Sequence, residues 1–214
     1  MGRINKGVLG GFSGKVGTVI GSNWKGIDYM RSRPTVNKNR TSTQKQLEQQ
    51  ARFAVAVRFS RSVTALLMET FSGYANQMTG VNKAVSDVLK RAITGTYPTY
   101  NIQYSQVFIS RGSLPNAETA VASGGVAGAI EFSWINGDIS LGKAKPTDQV
   151  LLVAYCPELN RAVYRKGALR SAQSDTLSVN GFRNKVVQTW ITFLSADGID
   201  VSDSLFTGEL TVTD

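Results

Sequence analysis

The 214-residue sequence contains no histidine and a single cysteine, Cys156. Without histidine there is no Ser-His or Cys-His nucleophile pair, no common zinc site and no imidazole general base. One cysteine closes no intrachain disulfide and builds no thiolate cage. With nothing to activate it, the Cys156 thiol reads as a buried, inert group. Long apolar runs are also missing. No stretch approaches the roughly 20 residues of a membrane helix. Only Val8-Leu9 separate Arg3 and Lys6 from the next glycines, too little for the apolar region of a signal peptide. A phosphate-binding loop fails as well. In Gly10-Gly11-Phe12-Ser13-Gly14-Lys15, Leu9 stands where the leading glycine is required, and Val16 replaces the magnesium-binding Ser or Thr. The expectation is a non-enzymatic protein with no cofactor, catalytic or metal site and no membrane partner, placed in the cytoplasm or a virion.

Charge is present but uneven. Residues 1–95 carry fifteen Lys/Arg against four Asp/Glu, while residues 96–214 carry nine against eleven. Such asymmetry points to regions with different tasks. The basic part starts with a glycine-rich stretch, Gly7 to Gly26, from which a β-hairpin is expected with its turn at Lys25-Gly26. Ile20, Ser22 and Trp24 then share one strand face. A lone hairpin is marginal in water, so this one needs a partner element. After Pro34, a polar basic linker runs to Arg40. Thr41 or Thr43, with Gln44 or Gln46, marks a helix start. A long helix is expected over 43–71, with Phe53, Val57, Ser60, Thr64, Leu67 and Phe71 as its stripe and Arg52, Arg58 and Arg61 on its polar side. A second helix is expected over 81–94, closed by Gly95.

From residue 102 the texture changes to short β-type runs: 102–110, 127–134, 149–155, 161–165, 176–179, 186–194 and 205–212. Turn signals such as Asn136-Gly137, Asn180-Gly181 and Asp197-Gly198 separate them. Seven runs at this spacing predict a sandwich, with Trp134, Tyr155 and Trp190 in its core. Residues 105–214 are expected to fold without the first 95. The fold class is therefore α+β: a basic arm with a β-hairpin (1–40), two helices (41–95) and a mainly antiparallel β-sandwich (96–214). Asp197, Asp200 and Asp203 do not follow the calcium-loop alternation, and Gly198 marks a hairpin turn instead.

Two resemblances follow from these residues. Gly14-Lys15-Val16-Gly17-Thr18-Val19, Trp24-Lys25-Gly26-Ile27-Asp28-Tyr29-Met30-Arg31, Pro34, Thr41, Gln44, Gln46 and Arg52-Phe53 resemble a module of an uncharacterised family of small Bacteroidota proteins. With Arg111-Gly112 and Asp197-Gly198, that resemblance covers most of the chain and implies no activity. The same module is similar to segments of phage- or prophage-encoded proteins. Phe132-Ser133-Trp134, Val150–Tyr155, Thr176–Val179 and Val187–Gly198 resemble a fibronectin type III or immunoglobulin-like sandwich, although Trp190 stands where a Tyr is more usual.

The candidate partner-binding residues are Trp24, Lys25, Tyr29, Arg31, Arg33, Arg40, Arg52 and Arg58, because interface hot spots favour Trp, Tyr and Arg. The expected function is a structural or adaptor subunit of a larger assembly, in the setting of a phage or phage-derived particle. Its arm would make contacts between subunits through self-association or with other structural proteins. The alternative is a sequence-independent nucleic-acid-binding protein that uses the basic half on phosphates and bases.

Overall fold

The computed structural model describes residues 2–4, 7, 10–24, 26–35, 41–74, 78–137 and 143–214. The chain divides into two compact units, residues 1–43 and 44–214. The boundary expected near residue 40 falls at 43, and the one expected at residue 95 lies inside the second unit. The first unit is an antiparallel sheet, richer than the single hairpin expected. Its strands β1 (Arg3–Ile4), β2 (Phe12–Val16), β3 (Val19–Trp24) and β4 (Ile27–Ser32) pair in chain order.

Among the described residues, the second unit begins with three α-helices rather than two. They are α1 (Gln44–Ser62), α2 (Thr64–Thr70) and α3 (Gly80–Arg91). Gln44 follows Thr43 directly, as the capping signal predicts. The long helix breaks at Val63, for a local chemical reason. Ser62 Oγ donates to the Phe59 carbonyl (2.7 Å), and Thr64 Oγ1 donates to the Ser60 and Arg61 carbonyls (both 3.1 Å). Hydroxyls thus engage acceptors at which the helix ladder would continue. α3 is capped by Thr79, whose side chain accepts from the Asn82 N–H. It ends before Gly95, which lies in a hairpin of β5 (Ile93–Thr96) and β6 (Thr99–Ile102). There Gly95 opposes Tyr100 at φ +93°, and a Cβ would meet the Thr99 carbonyl at 2.6 Å, so the glycine serves a strand rather than a helix end.

The strands β7 (Thr119–Ser123), β8 (Ala129–Ile135), β9 (Gln149–Cys156), β10 (Arg161–Leu169), β11 (Ser174–Ser178), β12 (Val186–Leu194) and β13 (Leu205–Thr211) form two antiparallel sheets. Their orders are β11-β8-β7 and β10-β9-β12-β13. The run expected as a strand over 102–110 is mostly irregular. Neighbouring side chains hold its backbone: Thr70 Oγ1 donates to the Ile109 carbonyl (2.7 Å), and the Ile109 N–H donates to Ser204 Oγ (2.9 Å).

The four-stranded sheet is covered on both faces. Val150, Leu152, Ala154 and Cys156 of β9 join Val187, Ile191 and Phe193 of β12 in the sandwich core, against Ile130, Phe132 and Trp134. The alternate residues Leu151, Val153, Tyr155, Trp190 and Leu194 face the helices, against Phe59, Leu66 and Phe71. Trp134 therefore lies where expected, whereas Tyr155 and Trp190 belong to a second core. Phe59 meets Tyr155 edge-on at 5.0 Å, and Trp190 Nε1 donates to the Val107 carbonyl (3.2 Å). Burial raises the phenol pKa values of Tyr104 and Tyr155 in this cluster. This packing removes the basis for expecting residues 105–214 to stand alone.

Two charged clusters brace the unit. Arg170 is wholly buried, pairs with Asp148 at 3.5 Å, donates to Asn136 Oδ1 (3.1 Å) and the Pro115 carbonyl (2.9 Å), and lies over the Phe193 ring. Arg111 stacks on Phe108 and Tyr74 and reaches Asp87 of α3 (3.9 Å) and Asp203 (3.6 Å). The Gly112 beside it approaches the Val201 carbonyl so closely that a Cβ would sit 2.1 Å away. The three C-terminal aspartates act separately. Asp197 accepts from Ser195 Oγ and the Ile199 N–H in the turn at Gly198, which holds its carboxyl below the usual range. Asp200 pairs with Lys143, and Asp203 with Arg111.

Candidate interaction surface on the N-terminal sheet

Two tight turns build this sheet. Gly17 (φ +59°) joins β2 to β3, and Gly26 (φ +87°) joins β3 to β4. Positive φ is easy only for glycine, which explains their position. Asn23 braces the second turn: its Nδ2 donates to Asp28 Oδ1 (2.7 Å), and its Oδ1 accepts from the Gly26 N–H (3.0 Å). Gly21 opposes Gly14 and Met30, and a Cβ there would stand 2.1 Å from the Phe12 carbonyl and 2.6 Å from its ring. The missing side chain thus leaves room for the close approach of Phe12. The Arg33 N–H extends the β3–β4 ladder by donating to the Thr18 carbonyl (2.8 Å).

The register sorts the side chains. Lys15 opposes Ile20, Ile20 opposes Arg31, Ser22 opposes Tyr29, and Trp24 opposes Ile27. Opposed residues share a face. One face therefore presents Trp24, Ile27 and Tyr29 beside Lys15 and Arg31. The other presents Phe12, Val16, Val19 and Met30. Burial is slight: Trp24 is 61% exposed, Ile27 63% and Met30 71%, and every described residue of β4 is exposed. Residues 1–43 hold eight Lys/Arg against one acidic residue, Asp28.

The predicted residues do not form one patch. Trp24, Tyr29 and Arg31 share the face just described, and Arg33 follows two residues after Arg31 on the same strand parity. Lys25 and Arg40 lie outside the described residues. Arg52 and Arg58 belong to the second unit and point to different neighbours. Arg52 donates to the Leu89 carbonyl at the end of α3 (3.1 Å), whereas Arg58 lines a recess with Tyr100, Tyr104 and Tyr155. Arg52, Arg58 and Arg61 therefore make no single polar stripe on α1. Among the described residues, no group of three or more His, Cys, Asp or Glu is placed to hold a metal ion, and no helix is long and apolar enough to cross a membrane.

A family of unknown function (DUF6266) matches residues 11–208, and the chain belongs to it. No curated protein matches the sequence. Among solved structures, the fibronectin type III domain of the human collagen alpha-1(XX) chain is similar at 20% identity and a TM-score of 0.34, over 49% of this chain and 86% of that one. The C-terminal strands form a two-sheet antiparallel sandwich, to which the helices add a third layer.

Proposed function

We propose that this member of a family of unknown function is a non-enzymatic structural or adaptor subunit whose N-terminal sheet contacts neighbouring subunits of a larger assembly. The observation that carries this reading is apolar exposure on both faces of one small sheet: Trp24 and Ile27 on one side, Val16 and Met30 on the other. Covering a large apolar side chain is worth about 1.5–3 kcal/mol. A sheet that leaves several uncovered has surface to give to a partner. We propose a phage or phage-derived particle as the setting, on the resemblance of the Trp24–Phe53 pattern to phage- and prophage-encoded segments.

Nucleic acid is the second reading, favoured by the eight cations on residues 1–43 and by Trp24 and Tyr29 as stacking platforms. Phosphates and bases satisfy cations and aromatic rings. They offer little to aliphatic Val16, Ile27 and Met30, and this favours a protein partner.

The test is paired. Trp24→Ala should reduce assembly size in light scattering and leave the melting of residues 44–214 unchanged. A full-length protein that stays monomeric at high concentration and joins no particle would sink the proposal. Binding to single-stranded DNA that weakens steeply with salt, with no self-assembly, would establish the second reading instead.

A further inference from the structure

Phe53, Val57 and Ser60 recur at the spacing of a core stripe, yet they line an open groove of about 440 Å³ between α1 and α3. Phe53 is 54% exposed. Across the groove lie Val81, Val85 and Leu89. The bond from Arg52 to the Leu89 carbonyl sets the middle of α1 beside the end of α3, while Gly80 at the start of α3 packs on the Leu67 carbonyl, just beyond the end of α1. The helices are therefore antiparallel, and the groove has two unlike ends. Phe53 and Leu89 make one end apolar. At the other stand Arg61, Asn82 and the N-terminus of α3, where helix N–H groups and the dipole favour negative charge. Among the described residues, no acidic side chain lines the groove. Ser60, at the Arg61 end, is 1% exposed, and its Oγ has no hydrogen-bond partner among the described residues. A buried hydroxyl left unbonded is costly and rare.

We infer that this groove binds a free aliphatic carboxylate. The chain lies along Phe53, Val57, Val85 and Leu89. The carboxylate meets the Arg61 guanidinium and the start of α3, and accepts from Ser60 Oγ once that hydroxyl, closed to the groove in this structure, turns toward it. The groove volume falls in the range of small-molecule sites, about 300–1,000 Å³. Apolar walls with a few convergent polar groups at one end are what an amphiphilic anion requires. This site is independent of the N-terminal sheet.

The probe is dodecanoate, titrated into the full chain by calorimetry below its micelle-forming concentration, with dodecanol and dodecyltrimethylammonium as comparisons. Saturable binding at one site is expected, with the carboxylate held about tenfold more tightly than the alcohol or the cation, as a charge-assisted contact allows. Arg61→Gln, at an exposed position, should bring dodecanoate down to the affinity of dodecanol. Ser86→Trp should fill the groove and abolish binding of both. If Ser86→Trp fails to fold, Phe53→Gln serves instead and should weaken acid and alcohol alike. Four results would each overturn the inference: no saturable binding, equal affinity for the cation, insensitivity to both Arg61→Gln and the groove-filling variant, or binding to phosphatidylglycerol vesicles but not to free dodecanoate.

Discussion

Cutting the chain before residue 105 removes α1, α2, α3 and the β5–β6 hairpin from a sheet that uses both of its faces. The fragment would expose Leu151, Val153, Tyr155, Trp190 and Leu194, none of them now more than 4% exposed. At about 1.5–3 kcal/mol per large apolar side chain, their uncovering costs roughly 8–15 kcal/mol, an upper figure because unfolded chains are already partly compact. Domains of this size are stable by only about 5–15 kcal/mol in total. The loss therefore rivals the whole stability of the unit. Urea melts of fragments 105–214 and 44–214 provide the assay. Fragment 44–214 should unfold in one cooperative transition. Fragment 105–214 should show a shallow transition and bind dyes that report exposed apolar surface. A sharp transition for 105–214, within about 2 kcal/mol of the longer fragment, would refute the reasoning and make the helices an accessory layer.

Asp148→Ala should destabilise the second unit by about 3–5 kcal/mol, because it strands the buried Arg170 guanidinium without its carboxylate. The double variant Asp148→Leu with Arg170→Met should cost less than that single change, and a double variant that melts lower would contradict the account. Alkaline stability follows from Tyr104 and Tyr155, whose phenol pKa values are raised by burial above the ordinary 10.0. The unfolded chain releases these protons first, so the stabilisation is complete below pH 10 and falls as pH rises beyond it. Melting temperature should therefore drop above pH 10, and Tyr104→Phe should flatten the drop. An equal slope in wild type and variant would remove Tyr104 from the cause.

The strand runs 149–155 and 186–194 are legible in the sequence because they are rich in Val, Leu, Ile and aromatics, and strands stand at Gln149–Cys156 and Val186–Leu194. Their near-continuous apolarity carries a second message, that both faces are covered. Reading only the alternation Val187, Ile191, Phe193 yields a two-layer sandwich and places Trp190 and Tyr155 in the wrong core. β7 escapes notice because Thr119-Ala120-Val121-Ala122-Ser123 is small and half-polar, as befits an edge strand with one face in water. The hairpin turn at Gly26 is legible for the opposite reason. Gly26 needs positive φ, and few local patterns are so specific.

The helical segment shows why pattern alone could not separate core from site. Phe53, Val57 and Ser60 recur at three- and four-residue intervals, and so do Ala56, Phe59 and Val63 on the adjacent face of the same chain segment. Periodicity admits either stripe as the core. The choice is made by a partner 131 residues away in sequence: Trp190 on β12 packs against Phe59, with ring centroids 6.4 Å apart. The Ala56–Phe59–Val63 stripe turns to the sheet and is buried, and this rotation of α1 turns Phe53 and Val57 outward. A helix with two apolar stripes has room for two apolar neighbours. The fold supplies one of them, the sheet. The other stripe lines the groove with Arg61 at its end, and there the sequence pattern and the open space point to the same unfilled position.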